Sequence, residues 1–189
     1  MLRLGVVCLS ALVLWSCGSS KTNLTPSPTE ETIKNMPDWF LEPPSDPDYL
    51  FAAASMTSRD MQVSLQKAKT AAQTDLAQQL ETKLGNLTKQ FQEEVGVDED
   101  SELLQSFTSA TKAVTNQALV GARMDKKKFM AEKEIYRAYV LMSLPIGQAN
   151  QLLMDKIKAN QELYTRFRAT QAFEELDKEL KAYEEKEGK

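Results

Sequence analysis

RDMQVSLQKAKTAAQTDLAQQLETKLGNLTKQFQEEV, Arg59–Val95, is the stretch whose reading decides the fold. Within it Leu65, Ala68, Ala72, Leu76, Leu80, Leu84, Leu87, Phe91 and Val95 recur every three or four residues, the spacing of one face of an α-helix. The stripe predicts one long amphipathic helix, with Ser58 as its N-cap and Asp60 at the positive end of the first turn. Its first half is lined by Ala68, Ala71, Ala72 and Ala77, small enough to let a sheet approach closely, while the second half carries leucine and phenylalanine. Gly85-Asn86 falls inside the stripe, where a helix can bend.

Upstream, Tyr49-Leu50-Phe51-Ala52-Ala53-Ala54-Ser55 is a short apolar run. Periodicity alone allows a strand or a buried helix, and the brevity, the aromatics and the preceding prolines favour a strand. Before it, Pro37, Pro43 and Pro44 predict an extended segment bearing Trp39, Phe40 and Leu41. That segment reads either as a latch on the domain edge or as a partner-docking strip, tryptophan being enriched at interface hot spots.

Downstream, Gly96 through Glu102 interrupts the pattern. Asp98, Asp100 and Glu102 alternate as calcium ligands can, but the glycine at loop position six and the glutamate at twelve are missing, so a helix cap at Asp100 or Ser101 is the better reading. A second helix is predicted from about Glu102 to Asn116, then two strands, about Ala118–Met130 and Glu134–Leu144, with a hairpin turn near Ala131-Glu132-Lys133. Lys126-Lys127-Lys128 reads as a solvated strand end that discourages edge-to-edge pairing, or as a basic run drawn to anionic lipid head groups. After Pro145 an apolar side marked by Ala149, Leu153, Ile157, Leu163, Phe167, Phe173, Leu176, Leu180 and Tyr183 predicts a long final helix reaching about Glu185. At 1.5 Å per residue it would extend ~60 Å. It therefore breaks, near Ala169-Thr170, or projects and offers Leu176, Leu180 and Tyr183 to a partner.

The amino terminus sets the compartment. Arg3 precedes an apolar run, Leu4 to Leu14, that is too short to cross a bilayer and has the length of a secretory signal core. Ser16-Cys17 closes it. From Gly18 to about Asn35 the residues are polar, with Pro26 and Pro28, the composition of a flexible tether. Cleavage before Cys17 would remove Cys8 and leave Cys17 as the one mature cysteine, in a chain with no histidine. That composition weighs against triad hydrolases, zinc enzymes and haem proteins, and no carboxylate pair stands out for acid–base work. No catalytic residue, metal site or cofactor is expected. The formal net charge of −4 offers no footprint for nucleic acid.

Two resemblances join these features. Leu14-Trp15-Ser16-Cys17-Gly18 resembles the lipobox of bacterial lipoproteins, which implies thioether attachment of diacylglycerol to Cys17 and an acylated (palmitate-bearing) new amino terminus. Gly18, where some bacteria use aspartate to retain a lipoprotein at the inner membrane, implies the outer membrane, facing the periplasm or the cell surface. The order of Pro37 and Trp39, Pro43-Pro44, Tyr49-Leu50, Asp60, Ala68, Ala72, Leu76, Ala77, Tyr136, Tyr139 and Val140 resembles the twenty-kilodalton bacterial surface lipoprotein family. The resemblance spans about Met36 to Leu144, with Ala52-Ala53-Ala54-Ser55 standing where that family commonly shows Gly-x-Gly. It implies an α+β domain with a small antiparallel sheet (a strand, two helices, a β-hairpin) covered by helices, and it brings no catalytic residue.

The expected layout is a signal peptide at 1–16, a lipid-anchored tether at 17–35, the α+β domain at 36–145 and a helical extension at 146–189. The expected function is a non-enzymatic scaffold or interaction lipoprotein of the bacterial envelope, self-assembling or attached to a flagellar or other envelope complex. Candidate partner contacts are Trp39, Phe40, Leu176, Leu180 and Tyr183, meeting a protein partner or a second copy. The alternative is a lipoprotein that binds a small molecule or lipid between helix and sheet, with Met61, Phe91, Phe107 and Tyr139 as candidate lining. A carboxylate-dependent hydrolase of cell-wall material is the least favoured reading, since the acids lie mainly on helix faces.

Overall fold

In the computed structural model the described residues are 33–96 and 101–187. The chain divides into two units, Met1–Asn35 and Met36–Lys189, and the second carries the fold. Its elements are α1 (Asp38–Leu41), β1 (Tyr49–Ser58), α2 (Met61–Val95), α3 (Ser101–Ala118), a 3-10 turn (Leu119–Gly121), β2 (Arg123–Glu132), β3 (Ile135–Pro145), α4 (Ile146–Lys158), α5 (Gln161–Phe167) and α6 (Gln171–Glu187). The class is α+β, as expected: one three-stranded antiparallel sheet in the order β1-β3-β2, layered with helices.

Central strand β3 is buried from Ala138 through Pro145. The pleat sends Ala138, Val140, Met142 and Leu144 towards α2, where they join Ala52 of β1 and Ala68, Ala72 and Leu76 of the helix in one core. Alanine facing alanine (Ala52, Ala68 and Ala72, all 0–1% exposed) lets α2 lie close on the sheet. The triple alanine at 52–54 stays within a continuous ten-residue strand.

Helix α2 outruns the sheet. Its 35 residues extend ~52 Å, whereas the ten residues of β1 extend ~33 Å. Because α2 runs back along β1, the amide of Gln79 reaches the Phe51 carbonyl (2.9 Å), near the start of the strand. Beyond about Leu80 the helix needs another cover, and the C-terminal third of the chain supplies it. Phe91 stacks on Phe107 of α3 (4.7 Å between centroids) and meets Phe167 of α5 edge-on (5.6 Å). Glu94, in the last turn of α2, accepts from the Gln171 and Ala172 amides (2.7 and 3.3 Å) and so caps α6.

That arrangement corrects the single long C-terminal helix. The segment breaks near Ala169-Thr170, one of the two expected outcomes, and also at Ala159-Asn160. Asn160 caps α5 by accepting from the Leu163 amide (3.1 Å), and the Thr170 hydroxyl accepts from the Phe173 amide (3.3 Å). The extension from residue 146 belongs to the same unit as the α+β domain.

Other boundaries shift for local reasons. Asp60, not Ser58, caps α2 by accepting from the Val63 amide (2.9 Å), while Ser58 accepts from the Asp60 amide (3.2 Å). Residues 118–122 close α3 and the 3-10 turn, so β2 starts at Arg123. The hairpin turns at Lys133-Glu134, with Lys133 in the left-handed region (φ 56°). Asp38–Leu41 is a helical turn, not extended, with the Phe40 and Leu41 amides bonded to the Pro37 carbonyl. Gly85-Asn86 does not interrupt α2.

Candidate interaction surface

With one face of the sheet covered by α2, its two edges and its other face remain, and the residues on them differ. Edge strand β2 carries Arg123, Asp125, Lys126, Lys127, Lys128 and Glu132, with a register shift between Met124 and Lys126. Charge and a bulge are the usual means of blunting an edge. The lysine run therefore lies on an exposed edge, which both of its readings required. Edge strand β1, Tyr49–Ser58, has no charged residue in its ten positions.

On the sheet face away from α2, Phe40 of α1 meets Tyr139 edge-on at 4.9 Å, and Trp39 is half-buried. α1 thus sits as a latch on β3 and β1, with Leu41 left 55% exposed. Burial raises the Tyr139 phenol above its usual range, and its hydroxyl has no partner among the described residues. Two residues away, Arg137 forms a two-pronged pair with Glu132 (2.5 and 3.0 Å), which holds the guanidinium above its ordinary pKa. The pair closes the hairpin.

Two of the hollows among the described helices bear on binding. The first, about 200 Å³, is lined by residues of α2, α4 and α6. In it Glu179 accepts from Lys83 (2.8 Å) and from the Asn150 amide (2.6 Å). Asn150 is 1% exposed, and its side-chain Oδ1 has no partner among the described residues. The Glu179 carboxylate and the Lys83 ammonium satisfy one another, and Asn86, Gln90 and Glu175, the last taking a long bond from Gln90 (3.4 Å), complete the polar lining. The second, a groove of about 630 Å³ between α2 and α3, is lined by Leu84, Gly85 and the threonines Thr88, Thr108, Thr111 and Thr115. All four threonine hydroxyls donate to carbonyls of their own helix (2.8–3.2 Å), which turns their methyls to the groove, while Glu81, Lys89, Lys112 and Asn116 give it a charged and polar rim. Among the described residues no group of three or more His, Cys, Asp or Glu side chains is placed to hold a metal. No described helix is long and apolar enough to cross a membrane.

Of the expected site residues, Cys17 lies outside the described residues, as do Asp98 and Asp100. Leu176 and Leu180 are 3% and 6% exposed within the core, which corrects their assignment as exposed partner contacts. The Tyr183 ring lies flat on α4. A Cβ at Gly147 would sit 2.1–2.7 Å from its carbons, so glycine there is what lets the two helices touch. At the same end, Lys186 pairs with Asp48. The four residues suggested as a ligand lining do not converge. Phe91 and Phe107 fill each other's space, Tyr139 is on the far face of the sheet, and Met61 opens α2 about 45 Å before Phe91.

Two features escaped the sequence reading. Asn150 stands in the stripe Ile146, Asn150, Leu153, Ile157, and a polar side chain at a core position is a signal that spacing alone carries. The unguarded edge of β1 needed the strand order, because docking of the hairpin through β3 decides which side of β1 stays open and puts the lysine-bearing β2 at the opposite edge. Neither a protein-family model nor a curated protein matches this chain.

Proposed function

We propose that the chain is a bacterial envelope lipoprotein, anchored through acylated Cys17, whose folded unit serves as a non-enzymatic interaction or scaffold module. The observation that carries this reading is Leu14-Trp15-Ser16-Cys17-Gly18 at the end of a short apolar run, followed by a polar tether into a separately folded unit. Acylation with more than one chain would hold the protein at a membrane far more firmly than the reversible binding a single chain gives. Gly18 favours the outer membrane, facing the periplasm or the surface. The resemblance to the surface lipoprotein family favours a place in an envelope assembly, a flagellar one among them. An edge strand without charge is a feature that suits such a module.

Metabolic labelling with an alkyne fatty acid tests the anchor. The wild-type protein should take up label and fractionate with membranes, and Cys17→Ala should lose both properties while keeping its helical circular dichroism. An unlabelled wild-type protein, or label retained in Cys17→Ala, would overturn the reading.

The groove between α2 and α3 favours a second reading, a lipoprotein that carries a lipid or small apolar molecule. Native mass spectrometry of gently extracted protein should then show a bound mass that Gly85→Leu, which would fill the groove, removes. Protein free of any adduct would speak against it.

A further inference from the structure

The bond from the Ile146 amide to the Asp48 carbonyl (2.8 Å) sets the phase of the β1–β3 ladder. Residues bonded to β3 alternate with residues whose N–H and C=O point away from it. Asp48, Leu50, Ala52, Ala54, Met56 and Ser58 therefore face β3, and Tyr49, Phe51, Ala53, Ser55 and Thr57 aim their backbone groups outward. The Gln79 bond to the Phe51 carbonyl agrees with that phase, and the Tyr49 amide is taken by Asp46 (3.3 Å). Ala53, Ser55 and Thr57 have no neighbouring strand on that side among the described residues.

The flank beside this edge is apolar and self-complementary. Met56 with Gln66, Lys67, Thr70 and Ala71 lines a shallow hollow of about 400 Å³, and Met56, Met61 and Val63 are 39–44% exposed. Lys67 and Asp75, both exposed, stand one helical turn either side of Ala71. A two-fold axis at the level of Ala71 sets Lys67 of one copy against Asp75 of the other. We propose that β1 pairs antiparallel with β1 of a second copy, joining two three-stranded sheets into one.

A second copy fits better than an unrelated strand because antiparallel pairing of a strand with itself is isologous and the charges match only when the flank meets itself. The lysine-bearing, bulged β2 edge stops growth at two copies, so the pairing closes as a dimer instead of running on as a fibre. The inference rests on the reading of this unit as an interaction module and names its partner.

On the lipoprotein reading Cys8 is cleaved off and Cys17 is capped by lipid, and the protein without an introduced cysteine, oxidised in parallel, reports any cross-link through Cys8 or Cys17 themselves. In full-length, membrane-anchored protein in cells, Ala53→Cys, Ser55→Cys and Thr57→Cys are oxidised one at a time. Facing residues of an antiparallel pair lie within disulfide reach, so the position at the axis should give a covalent dimer. Ala53→Pro, which removes only an outward N–H, should leave circular dichroism unchanged and shift the detergent-extracted protein from dimer to monomer in sedimentation. Lys67→Glu should weaken self-association about tenfold, and Lys67→Glu with Asp75→Lys should restore it. A monomeric wild-type protein, a dimer untouched by Ala53→Pro, or β1 cysteines that capture only a different protein would overturn the proposal. The last result, with Cys17 labelled, leaves the lipoprotein reading standing. A β1 dimer with Cys17 unlabelled does the reverse.

Discussion

The two halves of α2 carry one apolar stripe but bury it against different partners. The first half, through Leu76, lies on the sheet and uses Ser64, Ala68 and Ala72, which are fully buried because little stands between helix and strand. The second half has run past the sheet. It fills wider gaps with Leu80, Leu84 and Phe91 against α3 and the C-terminal helices. Side-chain size along the stripe thus follows the distance to the neighbour: small where a flat sheet approaches, large where round helices leave space between them.

Removing bulk from the second half should cost most. Phe91→Ala empties the contact with Phe107 and Phe167, and a loss of about 3–5 kcal/mol is expected in urea denaturation. A loss below 1 kcal/mol would mean the aromatic cluster collapses into the space, and the contrast between the halves would weaken. Adding bulk to the first half should cost less. Ala72→Leu forces α2 off the sheet at an expected cost of about 1–3 kcal/mol, whereas a leucine tolerated there would show that the sheet face is not closely packed.

Smaller still is the tie between the overhang and the segment that covers it. Glu94→Ala removes the side-chain cap from α6, with an expected loss of about 1 kcal/mol and faster amide exchange confined to the first turn of that helix. Uniform exchange changes would place the role of Glu94 elsewhere.

The smallest effect belongs to the sheet's other face. Tyr139 is kept neutral by burial, so its folded pKa exceeds the unfolded value of about 10. The associated stability is complete below pH ~10 and falls as pH rises towards the folded value. Tyr139→Phe also relieves a hydroxyl without a partner. It should therefore change stability by under about 1 kcal/mol at neutral pH and flatten the alkaline limb of the stability profile. An alkaline limb equally steep in the variant would assign it to other groups.

How far the fold could be read from the chain follows from the range of each signal. The α2 stripe, the three strands and the hairpin rest on patterns repeated within two to four residues, and each appears within a few residues of its expected place. Trp39 and Phe40 were legible as apolar bulk beside prolines, but only the position of Tyr139 decides that Phe40 latches on it. The break near Ala169-Thr170 is one of the expected outcomes, but the second break at Ala159-Asn160 was not legible, because the stripe runs on through Asn160 without proline or glycine to mark the turn. Leu176 and Leu180 looked like a surface for a partner because a stripe does not say whether its cover comes from another molecule or from the same chain.

By itself the sequence determines the local grammar of this protein: where helices and strands form, where caps such as Asp60 can act, and that a short apolar run is followed by Ser16-Cys17. The tertiary structure alone decides which surfaces close and which stay open. A helix of ~52 Å on strands of ~33 Å leaves an overhang, and the chain folds α4, α5 and α6 back to bury it. The hairpin docks with β3 in the centre, so an uncharged strand is left at one edge and a lysine-guarded one at the other. Both outcomes depend on lengths and contacts between segments far apart in the chain, which no local periodicity encodes.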